Sequence, residues 1–288
     1  MLSVYKKELK TYFLTYTGYA TIALFLFAAG IFVSIFSFFH LSSSIETAYS
    51  DILFVLLAIV PMLSFRSLTE EKRNKTDVLL NSLPIKTSSY VLGKYFAELT
   101  LIAIPIAVTF LYTVILSFYG KVNFVSALSA TFALFLCAAA MLAIGLFISS
   151  LFESIALSAA VTFGALFLSY LVPSIVLMIP SGYLASFAVI SVFVILLSLA
   201  FAYITSSKTA GYLTLLVFEG ALVAMLCISP DLLDGAAVRI VDYFSLTERF
   251  SPFSEYGIFD LESIVYYVSV SVFFVFLASK STEWRIRK

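Results

Sequence analysis

Residues 124–149, FVSALSATFALFLCAAAMLAIGLFIS, contain no charged side chain over their whole length. A helix needs about 20 consecutive apolar residues to cross the hydrocarbon core of a bilayer, so this stretch predicts a transmembrane helix. The whole chain has the same character, because 62% of its 288 residues are apolar and 12% are charged. Soluble domains carry about 25% charged residues. The composition therefore indicates an integral membrane protein and excludes most aqueous enzymes, disordered tails and secreted disulfide scaffolds.

The same length criterion gives eight candidate spans along the chain. They predict an all-α, polytopic transmembrane helix bundle, because only helices and closed barrels satisfy their backbone groups in lipid. One transmembrane domain is expected over residues 1–288. The spans cover residues 18–39, 51–68, 95–119, 124–149, 155–179, 183–205, 211–229 and 262–279.

The basic residues set the predicted orientation. In an eight-span arrangement all lysines and arginines except Lys121, Arg239 and Arg249 fall on one side of the membrane. Cytoplasmic loops carry the excess of lysine and arginine, so both termini are expected to be cytoplasmic. Removing one span would break this separation, and the charges therefore favour an even number. With 17 basic and 17 acidic residues, a nucleic-acid partner has no electrostatic support.

Residues 1–17 precede the first span and are predicted to form an amphipathic helix. Such a helix lies along the membrane surface with its lysines at headgroup level. A simple anchor and a lever that acts on the first span are both compatible with this pattern. Two sets of residues define it: Leu2, Tyr5, Leu9 and Tyr12 at helical spacing, and Lys6, Lys7 and Lys10 largely on other faces.

The hydrophilic segment 69–94, between the second and third spans, is predicted to contain a short cytoplasmic helix. Thr76 is a candidate N-cap, Asp77 suits the first turn, and Pro84 ends the helix. A short helix with one apolar face suits docking into the groove of a partner protein, and insertion of that face into lipid is the alternative. The apolar face consists of Leu79, Leu80 and Leu83.

Glu219 lies near the middle of the seventh predicted span. A carboxyl group inside a membrane is costly and is paired, hydrogen-bonded or neutralised within the bundle. A structural hydrogen bond and a proton or cation site are both compatible with it, and the lack of a second charge at that depth favours the hydrogen bond. Lys94 and Glu98, four residues apart at the start of the third span, are expected to pair across a helix turn.

Small residues recur four apart at Ala156, Ala160 and Gly164, and again at Gly145 and Ser149. Such faces let transmembrane helices approach closely. Packing within the chain is favoured, and a subunit interface is the alternative.

The external segment 230–261 carries aromatic residues, mostly three apart, before the last span. Aromatic residues at this depth usually form the interfacial belt. A re-entrant element that seals an outer gate is the alternative. The residues are Phe244, Phe250, Phe253, Tyr256 and Phe259.

The sequence contains no catalytic or nucleotide-binding motif. A phosphate-binding G-x-x-x-x-G-K-[ST] loop, an H-E-x-x-H metal motif and a G-x-S-x-G elbow do not occur. His40 is the single histidine. The chain is therefore not expected to be an enzyme, nor to bind a cofactor or a metal itself.

Four segments of the chain resemble ABC-2-type exporter permeases, and specifically their gliding-motility (GldF-like) branch. They cover both ends and the middle of the chain in the family's order. They are 4–13 (VYKKELKTYF) with 18–19 (GY), 70–73 (EEKR) with Thr76, 79–80 (LL), Pro84 and 92–94 (LGK), 148–151 (ISSL) with Glu153 and 162–164 (TFG), and 257–261 (GIFDL) with 265–267 (VYY).

The resemblance implies a permease subunit that moves its substrate across the membrane, driven by ATP hydrolysis in a separate ATPase subunit. The chain would act as a dimer with a second permease, and two ATPase subunits would bind ATP and magnesium. Residues 76–83 would be the coupling helix seated on the ATPase, and residues 1–17 the connecting helix. The segment 230–261 would form re-entrant helices near the outer gate, with Phe244, Phe250 and Phe253 as gate candidates. The location implied is the plasma membrane of a bacterium.

The chain departs from the family in its number of spans. Family members usually have six, whereas this chain has two more at roughly 183–229, and Glu219 lies among them. Two other functions stay open: a secondary, ion-coupled transporter that uses Glu219, and a membrane scaffold that moves no substrate. The apolar spans suit lipids, amphipathic drugs or hydrophobic peptides better than sugars or ions.

Overall fold

A computed structural model gives the structure of the chain. It describes residues 1–39, 46–74, 86–118, 120–180, 182–205, 208–228, 230–255 and 257–286. Throughout these residues the regular structure is helical and no strand occurs, which confirms the all-α prediction. The chain divides into two compact units, one of Met1–Tyr170 with Arg249–Lys288 and one of Leu171–Glu248.

Thirteen α-helices and one 3₁₀-helix, Glu248–Phe250, lie in the described part of the chain. In chain order the α-helices are α1 (Leu2–Leu14), α2 (Tyr16–Val33, continued by the π-helical Ser34–Phe39), α3 (Glu46–Ser67), α4 (Thr69–Arg73), α5 (Thr87–Leu116), α6 (Phe124–Leu151), α7 (Ile155–Val176), α8 (Tyr183–Thr205), α9 (Lys208–Ile228), α10 (Pro230–Leu233), α11 (Ala236–Asp242), α12 (Ser251–Glu255) and α13 (Leu261–Ile286). A single residue, Thr15, separates α1 from α2, and its backbone is extended.

Six helices in the described part of the chain are long and apolar enough to cross a membrane. They correspond to the first five predicted spans and to the last one. Shorter apolar stretches, Tyr183–Ile195 and Tyr212–Leu226, lie within α8 and α9, at the positions of the sixth and seventh predicted spans. The six are Tyr16–Ser37, Ala48–Arg73, Thr87–Leu116, Phe124–Leu151, Ile155–Val176 and Leu261–Arg285.

α6 forms the centre of the larger unit. It packs against α13, α3 and α5, and every side chain from Ala138 to Ala143 is buried. Most of these residues are alanines, which let neighbouring helices approach closely without a polar or bulky group between them. The run of small apolar residues in 124–149 therefore positions the helices around it.

Gly257 lies at the turn before α13 and has a backbone φ of +63°, in the left-handed region that favours glycine. A Cβ at this position would meet the Ser126 hydroxyl oxygen at 2.5 Å. The turn therefore approaches the start of α6 too closely for any other residue. Asp260 then caps α13, because its carboxylate accepts a hydrogen bond of 3.0 Å from the Ser263 backbone N–H.

The smaller unit is built on α8 and α9, which pack against each other. The short helices α10 and α11 pack on α8. Among the described aromatic side chains, Phe193 of α8 and Phe244 lie with their ring centroids 5.9 Å apart. This unit contains the segment that the sequence analysis identified as an addition to the six-span pattern.

Candidate functional site

The predicted coupling residues lie outside the described part of the chain. Thr76, Asp77, Leu79, Leu80 and Leu83 all fall within residues 75–85. The structure does describe the two helices on either side of them, α4 and α5. The chain leaves α4 at Arg73 and enters α5 at Thr87, so the hydrophilic segment predicted over 69–94 is helical at both ends.

A buried lysine near the start of α5 joins three parts of the chain. The Lys94 ammonium lies 3.0 Å from the Glu71 carboxylate and 3.3 Å from the Glu8 carboxylate. It also donates a hydrogen bond of 2.8 Å to the Ser67 carbonyl. The Lys94 side chain is only 4% exposed. These contacts link α1, the α3–α4 junction and α5 at one point, which we call the Lys94 hub.

The predicted pair between Lys94 and Glu98 is wrong. The Lys94 ammonium forms its ion pairs with Glu8 and Glu71 instead. These carboxylates belong to α1 and α4, and a local helix-spacing rule cannot detect them. Glu98 is fully buried beside the Ser67 side chain, and its two carboxyl oxygens make no hydrogen bond of normal geometry among the described residues.

Glu98 is therefore a functional candidate that sequence reasoning missed. A buried polar group without a partner is costly and is rare in folded proteins. The signal in the sequence is a carboxyl one turn inside an apolar helix, four residues from a lysine. That spacing predicts a structural pair across a helix turn, because the sequence does not show that Lys94 has other carboxylates beside it.

The C-terminal end of α6 is held by side chains from other helices. The last carbonyls of a helix have no partner within it. The Lys72 ammonium donates to the Ser149 carbonyl at 3.2 Å and to the Ser150 carbonyl. The Thr69 hydroxyl donates to the Ser149 carbonyl at 3.0 Å, and the Ser281 hydroxyl of α13 donates to Ser150 at 3.3 Å. A cation at a helix C-terminus also interacts favourably with the helix dipole.

Replacing Lys72 with glutamine is expected to lower the free energy of unfolding by about 2 kcal/mol, because hydrogen bonds from a charged donor to buried carbonyls are lost. Lys72 is 7% exposed. Arg73→Gln, at an exposed position on the same helix, is the matched control and should have little effect. The measurement is unfolding of the purified chain in detergent by titration with sodium dodecyl sulfate. Equal effects of the two substitutions would contradict the assignment.

The proposed gate aromatics fall into different surroundings. Phe244, in the smaller unit, is 56% exposed. Phe250 and Phe253 are fully buried in the larger unit, where α12 packs against α6 and α3. The Ser129 hydroxyl of α6 donates to the Phe253 carbonyl at 3.4 Å. Tyr256 lies outside the described residues. The structure thus places two of the three gate candidates in a packed core rather than on a surface.

Glu219 of α9 accepts a hydrogen bond of 3.1 Å from the Ser191 hydroxyl of α8. This contact joins the two main helices of the smaller unit. The other carboxyl oxygen of Glu219 is buried without a hydrogen-bond partner in the part of the chain that the structure describes.

The two faces of small residues have different environments. A Cβ at Gly145 would lie 2.1 Å from the Ser64 hydroxyl oxygen, so α6 and α3 touch there. A Cβ at Gly164 would meet none of the described atoms within 4 Å, and Ala156 and Ala160 are exposed on the same helix. The first face packs within the chain, while the second, on α7, is open.

The charged side chains described at this end of the bundle are engaged in contacts between helices. Among the described residues, no three His, Cys, Asp or Glu side chains are grouped so that they could hold a metal ion. The charged groups instead connect helices. The Lys94 hub ties α1, α4 and α5 together, and Lys72 ties α4 to the end of α6.

Comparison with known proteins agrees with this arrangement. No curated protein matches the chain. The family model of the ABC-2 family transporter proteins matches residues 28–228, well over half of the 288-residue chain. The matched region includes four of the six described membrane-spanning helices in full and the second part of the first one. The chain therefore belongs to the ABC-2 family of transporter proteins, as a multi-pass membrane component of transport.

Proposed function

We propose that the chain is the permease subunit of an ATP-binding-cassette exporter of the gliding-motility (GldF-like) branch. Two separate ATPase subunits would bind ATP and magnesium and supply the energy. Family membership carries this proposal, and the resemblance of the four segments named above supports it. A bacterial plasma membrane is the location that fits.

The coupling helix is proposed at residues 76–83, where Thr76 and Asp77 would begin the helix. Leu79, Leu80 and Leu83 would dock on the ATPase. The helices on either side of this segment, which the structure describes, support the proposal. α4 precedes the segment and α5 follows it, and the Lys94 hub and Lys72 tie both to neighbouring helices. A push on the segment would therefore move α4, the start of α5 and the end of α6 together, as a rigid-body switch requires.

An eight-span topology with both termini cytoplasmic completes the proposal. α8 and α9 would supply the two additional spans, because each contains an apolar stretch within a helix of more than 20 residues. The separation of basic residues supports an even number of spans. The segment 230–261 would then be external.

A second permease copy, identical or homologous, is proposed as the other half of the transport unit. The open face of Ala156, Ala160 and Gly164 on α7 supports this, because small residues let helices of two subunits approach closely in a membrane. Apolar spans suit a lipid or an amphipathic substrate.

The test is a pull-down of the tagged chain from its native membrane in mild detergent. We expect an ATPase subunit to follow the chain, and its ATPase activity to rise in the complex. The variant L79D/L83D should lose the ATPase, because two charges on the docking face oppose burial. The variant N81D/S82D adds the same charge on the opposite face of the predicted helix and should keep it.

Two results would contradict the proposal. One is an intact, monodisperse wild-type sample that carries no ATPase. The other is equal loss of the ATPase from both double variants. Binding of a partner without stimulation of ATP hydrolysis would instead favour the scaffold function.

An ion-coupled transporter is the second candidate function, favoured by the Glu219 carboxyl oxygen that has no hydrogen-bond partner among the described residues. A carboxyl with one free oxygen can take up a proton or a cation inside a membrane. Transport in vesicles without ATPase or ATP, abolished by Glu219→Gln, would establish this function. Full transport by Glu219→Gln that needs ATP would exclude it.

A further inference from the structure

A cleft lies between α5 and α13 within the larger unit, and nothing established for the chain assigns it a role. Its volume is about 700 Å³. It begins at the basic start of α5 and runs along the C-terminal half of α13. Lys86 lies at the start of α5 and Lys280 lies near the end of α13, and both line the cleft.

The walls of the cleft are apolar. Leu92 and Phe96 of α5 face Val272, Val275 and Phe276 of α13 across it. Three of these side chains remain substantially exposed, Phe96 at 41%, Val272 at 64% and Phe276 at 57%. Because both helices are membrane-spanning, such a groove suits hydrocarbon chains rather than water.

The mouth of the cleft is basic and suits an anion. Lys86 and Lys280 both line it and are exposed. Lys86 also marks the start of α5, a 30-residue helix with no acidic residue in its first turn and no side-chain cap from the described residues. A helix start of this kind presents free backbone N–H groups and the positive end of the dipole. The Thr87 and Ser88 hydroxyls line the same mouth.

We propose that the cleft binds an anionic phospholipid of the membrane leaflet at the basic end of the bundle. The acyl chains lie along Phe96, Val272 and Phe276. The phosphate contacts Lys86, the start of α5 and Lys280. Basic pockets between transmembrane helices are known to select anionic headgroups. This site is independent of the ATPase proposal, since its residues lie outside the coupling helix proposed at residues 76–83.

Charge complementarity selects the lipid over a second copy of the chain. A symmetric contact through this cleft would bring the Lys86 and Lys280 ammonium groups of two copies close together, where like charges repel. An anionic headgroup meets the same groups favourably. Among the described residues that line the cleft, Glu283 is the acidic one, and it pairs with Lys280 at 2.9 Å.

The two lysines are expected to make the cleft prefer an anionic lipid over a zwitterionic one by roughly tenfold. Two lysines without an acidic neighbour would give a larger preference, because Glu283 competes with the headgroup for Lys280. The probes are phosphatidylglycerol and phosphatidylcholine that carry a photoreactive group in the acyl chain. They are added in competition to the purified full-length chain in mild detergent. Cross-links are mapped by mass spectrometry, and the phosphatidylglycerol label is expected in residues 86–96 and 271–283.

Three variants make the test decisive. K86Q/K280Q should reduce the preference to near unity, whereas Lys121→Gln, at an exposed position outside the cleft, should preserve it. Glu283→Gln should raise the preference, because Lys280 is then free for the headgroup. Equal labelling by the two lipids, or an unchanged preference in K86Q/K280Q, would overturn the proposal. Disulfide-linked dimers of Phe276→Cys in native membranes would overturn it in favour of a second copy.

Discussion

Replacing Lys94 with methionine is expected to lower the free energy of unfolding by about 3 kcal/mol, the range seen when one partner of a buried ion pair is removed. The Lys94 side chain is 4% exposed, and its two carboxylate partners, Glu8 and Glu71, are 14% and 18% exposed. Without the ammonium, both carboxylates would be left close together and largely out of water. Methionine keeps most of the volume, so the loss reports the charge and its hydrogen bond to Ser67.

The measurement is the unfolding of the purified chain in detergent by titration with sodium dodecyl sulfate. Lys121→Met, at an exposed position away from the hub, is the matched control and should change the midpoint little. The triple variant E8Q/E71Q/K94M removes all three charges and should regain part of the loss, since replacing a whole buried ionic group is often nearly neutral. A Lys94→Met variant as stable as Lys121→Met would show that the hub does not stabilise the fold.

The sequence predicts the membrane-spanning helices well where their physics is local. A run of apolar residues must form its own backbone hydrogen bonds in lipid, so the stretch 124–149 can only become a helix, and α6 covers it. Helix ends are less predictable. α5 begins at Thr87, before the predicted start of the span at residue 95, because a helix can continue beyond the apolar residues that cross the membrane. Its polar first two turns are stabilised by tertiary contacts such as the Lys94 hub.

The candidate site could be predicted only in part, because its contacts join residues far apart in the chain. The sequence indicates that Lys94 needs a carboxylate, and the local spacing rule supplies Glu98. The structure supplies Glu8 and Glu71 instead, since α1 and α4 pack beside the start of α5. Only the tertiary arrangement, which no spacing rule contains, decides between these partners.

The same limit applies to the small residues. Gly145 and Gly164 have the same small-xxx-small signature, yet only Gly145 lies against another helix. The pattern shows that close approach is possible. It does not show which neighbour approaches, because that depends on the packing of α3, α6 and α7.

Substituting alanine for Gly145 is expected to cost roughly 3 kcal/mol, at the upper end of the range for overpacked cores. The new Cβ would lie 2.1 Å from the Ser64 hydroxyl oxygen and 2.7 Å from the Ser64 Cβ. Rotation of the serine cannot relieve both contacts, because its Cβ is fixed to the backbone of α3. The Thr162 methyl group, at 3.2 Å, closes the other side. α3 and α6 must therefore move apart, and the core around Ser64, which is fully buried, loses its packing.

Gly220→Ala, at an exposed position inside α9, is the matched control for this prediction, because a Cβ there would meet no described atom within 4 Å. In a helix interior this change should be neutral or slightly stabilising. The double variant S64G/G145A moves the methyl-sized group from one helix to the other and should recover much of the lost stability in the same unfolding titration. If S64G/G145A is no more stable than Gly145→Ala, the steric cause is wrong. Recovery would show that the space between α3 and α6 holds one small side chain and no more, so that the sequence must keep a glycine on one of the two helices.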